Sequence, residues 1–94
     1  MIRNADEKER AELVDNRLVE GAGFARDAFD RVYDAKSLLE NIDTGIPNSI
    51  SNRVDARIDT MESLEKELRQ TIHELLAQSV AIEDEINAYE KEAV

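Results

Sequence analysis

Cysteine is absent from this 94-residue chain, and proline, glycine and aromatic residues are scarce. Without cysteine the chain cannot form a disulfide bond or a thiolate metal site, and nothing indicates an oxidising compartment. The sequence also lacks a run of 18 apolar residues and an apolar signal core after Met1. These absences predict a soluble, cytoplasmic protein without a membrane-spanning segment or a membrane partner.

The residues that carry catalysis and cofactor binding are also missing. His73 is the single histidine, so the ligand sets of the common zinc sites and of bundle di-iron sites cannot be assembled. The Gly21-x-Gly23 spacing lacks the third glycine and the preceding strand of a dinucleotide-binding loop, and it favours helix packing instead. We therefore predict no catalytic, cofactor-binding or metal-binding residues, no cofactor and no enzymatic activity.

Acidic residues, by contrast, are abundant. Asp and Glu number 22 and Lys and Arg number 12, which gives a net charge of −10 at pH 7. A surface of this sign repels nucleic acid and attracts basic proteins. The charge therefore predicts a basic protein partner and no direct binding of nucleic acid.

The first helix is predicted over residues 4–42. Asn4 and Glu7 have the spacing of a capping box at its start. Small and apolar residues then recur every three or four positions, as a coiled-coil seam requires. This seam comprises Ala11, Val14, Leu18, Gly21, Ala25, Ala28, Val32, Ala35, Leu39 and Ile42. Because the register continues across Gly21–Gly23, we favour one continuous helix there, with a kink or a break as the alternative.

Residues 43–48 are predicted to form a turn, because Gly45 tolerates a left-handed conformation and Pro47 forces an extended residue before it. Asn48, Ser49 or Ser51 can cap a second helix over residues 49–92. The second seam comprises Val54, Ile58, Met61, Glu65, Leu68, Ile72, Leu75, Ser79, Ile82, Ile86, Tyr89 and Ala93. Its two polar members, Glu65 and Ser79, cost stability but can fix the register of the helices.

The prediction for residues 1–94 is a single all-α domain, an antiparallel helical hairpin of two long helices. Leu64, Leu76 and Val80 flank the second seam, so one partner helix cannot cover all of the apolar surface. A homodimer in the form of a four-helix bundle or coiled coil would cover it. The candidate self-association residues are Leu64, Leu68, Ile72, Leu75, Leu76 and Val80.

An antiparallel hairpin also brings residues 3–12 beside residues 83–92. The nine acids and four bases of these segments give this end of the molecule half of the net charge. A helix C-terminus favours cations, so the acids at the end of the second helix contribute little to stability. This acidic pole is the candidate site for a basic partner, with solubility as the alternative role of its charge. Its candidate residues are Glu9, Glu12, Glu83, Asp84, Glu85, Glu90 and Glu92.

The stretch from Ile46 and Pro47 through Arg53–Leu68 to Ile82–Asn87 resembles the helical N-terminal part of small phage-encoded, sigma-factor-like transcription regulators. In that family a proline-containing loop precedes a long acidic helix, and a helix-turn-helix module follows. The resemblance covers about half of the chain, and Val94 stands where that module would begin. It implies a phage or mobile-element origin and transfers no DNA-contacting residue.

Two functions fit these observations. In the first, the chain is a small non-enzymatic acidic interaction protein that acts through protein–protein binding and self-association. In the second, it is an acidic nucleic-acid mimic that inhibits a host DNA- or RNA-binding protein, as anti-CRISPR and anti-restriction inhibitors do. A mimic needs carboxylates in rows spaced like phosphates, about 7 Å apart, whereas an adaptor needs only its apolar seam.

Overall fold

The chain folds as two long α-helices in a computed structural model that describes residues 1–42 and 45–93. Helix α1 spans Ala5–Glu40 and helix α2 spans Asn48–Ala93. The helices are antiparallel, because an ion pair joins the first turn of α1 to the last turns of α2. The molecule is a rod of 71 × 15 × 15 Å, and its described residues form no strand. The predicted all-α helical hairpin is confirmed.

Helix α1 begins where the capping box predicts. The Asn4 side chain accepts a hydrogen bond from the backbone N–H of Glu7 at 2.9 Å, which satisfies a donor that the first turn cannot pair internally. The Glu7 carboxylate in turn accepts a hydrogen bond from the Arg3 N–H at 3.1 Å. The helix continues through Gly21–Gly23 without interruption, as favoured from the register of the seam.

The chain reverses direction between the two helices. Gly45 adopts a φ of +104°, a left-handed conformation that residues with a Cβ rarely occupy. The left-handed conformation predicted for Gly45 in this turn is therefore present. Asp43 and Thr44, which also belong to the predicted turn, lie outside the described residues.

Helix α2 begins at the proline rather than at a polar cap. The Pro47 carbonyl accepts hydrogen bonds from the N–H groups of Ile50 and Ser51, both at 3.0 Å. Asn48 is already the first helical residue. The three candidate caps of the sequence analysis therefore lie inside the first turn of the helix, and Pro47 stands at the boundary.

The predicted seam of α2 is confirmed. From Val54 to Tyr89 every seam residue is buried or half-buried, and every residue between them is exposed. Steps of three and four residues keep these side chains on one stripe, and that stripe faces α1. The side chain of Ala93, the last predicted member, lies outside the described part of the chain.

The predicted seam of α1 is confirmed only in part. Seven of its ten members are half-buried, namely Ala11, Leu18, Gly21, Ala25, Val32, Ala35 and Leu39. At the alternating positions the next residue along the chain is also buried or half-buried, and these residues, Asp15, Ala22, Phe29 and Lys36, were not predicted. Val14, Ala28 and Ile42 are exposed.

The side chains that α2 presents explain this shift. A buried polar group is costly unless it finds a hydrogen-bond partner, and Lys36 and Asp15 supply partners for Glu65 and Ser79. Phe29 also brings more apolar area to the seam than an alanine would. The stripe that looks more apolar in the sequence consists largely of glycine and alanine, which bury little surface.

The core between the helices is thin. Among residues 1–42 and 45–92, the buried apolar side chains are Ala22 and Ile86, at 4% and 8% exposure, and the buried polar ones are Glu65 and Ser79. The other seam residues are only half-buried. Large apolar side chains left in water include Leu13, Val14, Val19, Phe24, Tyr33, Leu38, Ile50, Leu64, Leu76 and Val80.

Candidate functional site

Lys36 and Glu65 form a nearly buried ion pair across the seam. Lys36 Nζ lies 2.6 Å from Glu65 Oε1, and the two side chains are 16% and 8% exposed. The hydrogen bond to Glu65 raises the pKa of Lys36 although burial alone would lower it. In the sequence Glu65 is a polar interruption of the apolar seam, whereas in the structure it pairs with a cation from α1.

A second polar contact crosses the seam at Asp15. The Ser79 hydroxyl donates a hydrogen bond to the Asp15 carboxylate. Asp15 also faces Glu83, one turn further along α2, and its negative charge, followed by burial, raises the pKa of the Glu83 carboxyl. Both polar seam residues of α2 thus have partners on the α1 stripe that the sequence analysis missed.

The open end of the rod brings together the two segments of the predicted acidic pole. Lys8 Nζ lies 2.9 Å from Glu90 and 3.5 Å from Glu12, and the N-terminal amino group lies 3.4 Å from Glu85. Glu90, through a hydrogen bond and its charge, raises the pKa of Lys8. The candidate residues of the pole are all exposed: Glu9, Glu12, Glu83, Asp84, Glu85, Glu90 and Glu92. Three of them are therefore partly neutralised by contacts within the molecule.

One long side of the rod is strongly acidic, and we term it the acidic face. Arg26 and Asp30 of α1 line a shallow groove with Arg69, His73 and Leu76 of α2, so the stripes that contain these residues lie on the same side. Residues seven apart share a stripe on a coiled-coil helix. The charged residues of the acidic face are the acids Glu9, Glu12, Asp30, Glu40, Asp55, Asp59, Glu62, Glu83 and Glu90 and the bases Arg26, Lys66 and Arg69.

The groove interrupts the acids near the middle of this face. Phe29 and Ile72 form part of its wall, and the Arg69 guanidinium lies 5.5 Å from the centre of the Phe29 ring. Arg26 and His73 complete its polar edge. The groove is a packing feature of the seam whose basic groups divide the acidic face into two acidic ends.

The opposite long side, which we term the mixed face, carries as many bases as acids. Its charged residues are Arg10, Arg17, Arg31, Arg53 and Arg57 together with Glu7, Glu67, Glu74, Glu85 and Glu92. Its small and apolar residues are Val14, Gly21, Phe24, Ala28, Ala35, Leu38, Ile42, Ile50, Leu64, Ala81 and Ala88. Phe24 and Leu38 are 66% and 75% exposed. A molecule with a net charge of −10 therefore has one long side that is nearly neutral and partly apolar.

The basic stripe of this face was not among the predicted features. Arg10, Arg17, Phe24, Arg31 and Leu38 follow one another at intervals of seven residues, and none of them is acidic. The signal is readable when charge is counted along helical stripes. It disappears when charge is counted along chain segments, because acids from neighbouring stripes are then included.

The six predicted self-association residues do not form one surface. Leu68, Ile72 and Leu75 are half-buried on the stripe that faces α1, so they hold the hairpin together. Leu64 lies on the mixed face, whereas Leu76 and Val80 lie on the acidic face. A second copy packed on either long side would contact one of these groups and leave the other exposed.

Neither described helix contains an apolar stretch long enough to cross a membrane, and the described residues include no cluster of three potential metal ligands. No family model, curated protein or solved structure matches this chain.

Proposed function

We propose that this chain is a non-enzymatic interaction protein that binds a basic protein partner through its acidic face and also self-associates. The supporting observation is the segregation of charge between the two long sides of the rod. Nine acids against three bases on one side create a directional negative field. Charge that served only solubility would not need this separation.

The acidic face acts mainly on the encounter with its partner. Exposed charges steer association and are screened over about 8 Å at physiological salt, so their effect falls as salt is added. Four residues of the acidic pole, Glu9, Glu12, Glu83 and Glu90, belong to the open end of this face, and Lys8 contacts two of them, Glu12 and Glu90. We expect association to be fast at low salt and to slow steeply with increasing ionic strength.

A second candidate function is nucleic-acid mimicry. It is favoured by a row of exposed acids along α1, formed by Glu20, Asp27 and Asp34 on its outer surface and by Asp30 at the edge of the acidic face. At 1.5 Å per residue the three steps from Glu20 to Asp34 advance about 10.5, 4.5 and 6 Å along the helix axis. Their mean of about 7 Å matches the separation of phosphates in one strand, but the individual steps are uneven. Arg17 lies 3.2 Å from Glu20 and partly neutralises the first member of the row.

A capture experiment with two matched variants tests both candidates. The pole variant carries Glu9→Gln, Glu12→Gln and Glu83→Gln, and the outer-row variant carries Glu20→Gln, Asp27→Asn and Asp34→Asn. Each removes three negative charges from exposed positions. The immobilised proteins are incubated with cell lysate, and bound proteins are eluted with a salt gradient or with duplex DNA.

The proposed function expects basic proteins that wild type and the outer-row variant retain and the pole variant loses, with elution by salt. Mimicry instead expects elution by duplex DNA and loss from the outer-row variant. Equal retention by all three proteins at low salt, with helicity unchanged, would assign the acids to solubility.

A further inference from the structure

We propose that the mixed face docks a second copy of this chain, with the two rods antiparallel to each other. This inference rests on the self-association included in the proposed function, and it adds the surface and the orientation. The mixed face is the long side on which exposed apolar residues and balanced charge coincide.

Charge decides between the two long sides as a contact for an identical molecule. Packing acidic face on acidic face would bring nine acids of one copy against nine of the other. Packing mixed face on mixed face joins two nearly neutral surfaces and directs both acidic faces outward. The acidic face of each copy then remains free for a basic partner.

Charge along the mixed face decides the orientation. On its α2 part, Arg53 and Arg57 lie towards the loop, and no acid of this face lies between Ile50 and Leu64 in the described chain. Towards the open end the same helix carries Glu85 and Glu92. Antiparallel rods pack α2 on α2 and place the arginines of one copy opposite the glutamates at the open end of the other. Glu67 of one copy then lies near Glu74 of the other, so two like-charge approaches stand against four arginine–glutamate ones. Parallel rods pack α1 on α2 and place the same arginines opposite the loop end of α1, which carries Leu38 and Ile42 and no acid of this face.

The α1 part of the mixed face fits the same orientation. Full overlap of two identical rods places the two-fold axis at the middle of α2, near residue 70, and Arg26 of α1 shares a groove with Arg69 at that level. Each α1 residue of one copy then contacts an α1 residue of the other copy, and the numbers of the two contacting residues add up to about 52. Phe24 of one copy lies opposite Ala28 of the other, and Leu38 lies opposite Val14. Large side chains therefore meet smaller ones along the contact.

The mixed face is large enough for a stable dimer. A side of 71 by 15 Å has an area on the order of 1,000 Å², and a standard interface buries about 800 Å² on each partner. Docking there covers Phe24, Leu38, Ile50 and Leu64, which are large apolar side chains in contact with water in the single hairpin. Covering such surface is favourable in proportion to its area.

Crosslinking tests the orientation cleanly because the chain has no cysteine. Val14→Cys and Leu38→Cys each place one thiol at an exposed position of the mixed face. In the antiparallel dimer the two copies of residue 38 lie 24 helical residues apart along the rod, which is about 36 Å at 1.5 Å per residue. Residue 38 of one copy lies beside residue 14 of the other. We expect a short bismaleimide to link the mixture of the two variants, and to link neither variant alone.

Val80→Cys is the matched control, because residue 80 is similarly exposed on the acidic face. Linkage of Leu38→Cys to itself would show a parallel arrangement, and linkage of Val80→Cys to itself would place the contact on the acidic face. Either result overturns the proposal. A monomer in sedimentation at micromolar concentration overturns it as well, together with the proposed self-association.

A Leu38→Asp variant separates docking of the second copy from binding of a basic partner. We expect this change to weaken the dimer about tenfold or more, because it buries an unpaired carboxylate in the contact. Helicity should be unchanged, and the variant should still retain basic proteins through its intact acidic face. A dimer of unchanged affinity in Leu38→Asp would overturn the mixed face as the contact.

Discussion

Lys36 meets Glu65 across the seam at 2.6 Å, and fourteen residues further along α2 the Ser79 hydroxyl donates to Asp15. If the helices slid by one heptad, both contacts would be lost and polar groups would be buried without partners. Apolar contacts between Ala, Leu and Ile are less demanding of register. At the scale of residues, these two polar contacts therefore fix how α1 and α2 align.

Replacing one member of the buried ion pair should destabilise the hairpin. We expect Glu65→Leu to lower the melting temperature by about 5 °C or more, because Lys36 is left nearly buried without its partner. Pairing raises the pKa of Lys36, so the contribution of the pair persists at neutral pH and is lost as pH rises through that raised value.

The double variant Lys36→Leu with Glu65→Leu is the matched control. We expect its thermal midpoint to recover to that of the wild type or above, because a well-packed apolar pair avoids the cost of burying two charges. Thermal melts followed by circular dichroism measure both variants. A stabilised Glu65→Leu single variant would contradict the pairing seen in the structure.

Glu83 should make stability depend on mildly acidic pH. Its pKa is raised in the folded state, chiefly by Asp15, so the folded protein binds this proton more readily than the unfolded chain. Stability from this group is therefore gained as pH falls through the raised pKa and is lost as pH rises. We expect Glu83→Gln to melt at higher temperature than the wild type at pH 7.

The difference between Glu83→Gln and the wild type should shrink as the pH is lowered, because Glu83 itself becomes neutral. Asp84→Asn removes the same charge from the neighbouring exposed position and serves as control. Equal effects of the two substitutions at every pH would show that only net charge matters and that the contact with Asp15 does not.

At the scale of elements, α1 has a wider apolar surface than the hairpin can use. Its stripe of Val14, Gly21, Ala28 and Ala35 lies next to the stripe that packs on α2. Continuity of the helix through Gly21–Gly23 keeps both stripes straight along the whole rod. One helix thus presents one side to its own hairpin and an adjacent side to the mixed face.

The two helical glycines should be replaceable with a gain in stability. A Cβ on Gly21 would meet Leu75 at 3.8 Å, an ordinary contact, and a Cβ on Gly23 would meet nothing within 4 Å. We expect Gly21→Ala and Gly23→Ala each to raise the free energy of unfolding by about 1 kcal/mol, since alanine is the better helix former. Urea denaturation measures the change.

Gly45→Ala is the matched control for these substitutions. Gly45 has a φ of +104°, so a side chain there is strained, and we expect the same replacement to lower the free energy of unfolding by about 1 kcal/mol. Destabilisation by Gly21→Ala would show that α1 needs glycine flexibility that a regular helix does not require.

At the scale of the whole molecule, a rod with so thin a core should depend on each seam contact. We expect Leu68→Asp to unfold the hairpin, because an unpaired carboxylate at the seam costs about 3 kcal/mol or more, a large part of the stability of a small domain. Leu13→Asp, which changes a side chain 55% exposed, should leave the fold intact. Circular dichroism at 25 °C distinguishes the two. Retained helicity in Leu68→Asp would mean that the hairpin is not held by this seam.

The rod also explains why the acidic pole is an incomplete description of the charge. Counted by segment, the open end holds half of the net charge and the loop end is milder. Counted on the structure, the loop end is acidic on one long side, through Glu40 and Asp55, and basic on the other, through Arg53 and Arg57. Opposite charges that cancel in a segment total are displayed on separate surfaces.

The sequence by itself determined the helices, the N-terminal cap at Asn4 and the seam of α2 from Val54 to Tyr89. These features depend on residues within a few positions of one another, and α2 offers a single apolar stripe without glycine or proline to interrupt it. Capping bonds and three-four spacing act locally, so they can be read without knowledge of the partner helix.

Only the tertiary structure decided which stripe of α1 faces α2. The sequence of α1 contains two adjacent stripes, and the one with Val14 and Ala28 is the more apolar. The hairpin uses the stripe with Asp15 and Lys36 because the buried polar groups of α2 need partners, and that need belongs to the other helix. The same choice assigns the remaining residues to the acidic face or the mixed face. A seam is a property of two surfaces, and a pattern within one helix describes only one of them.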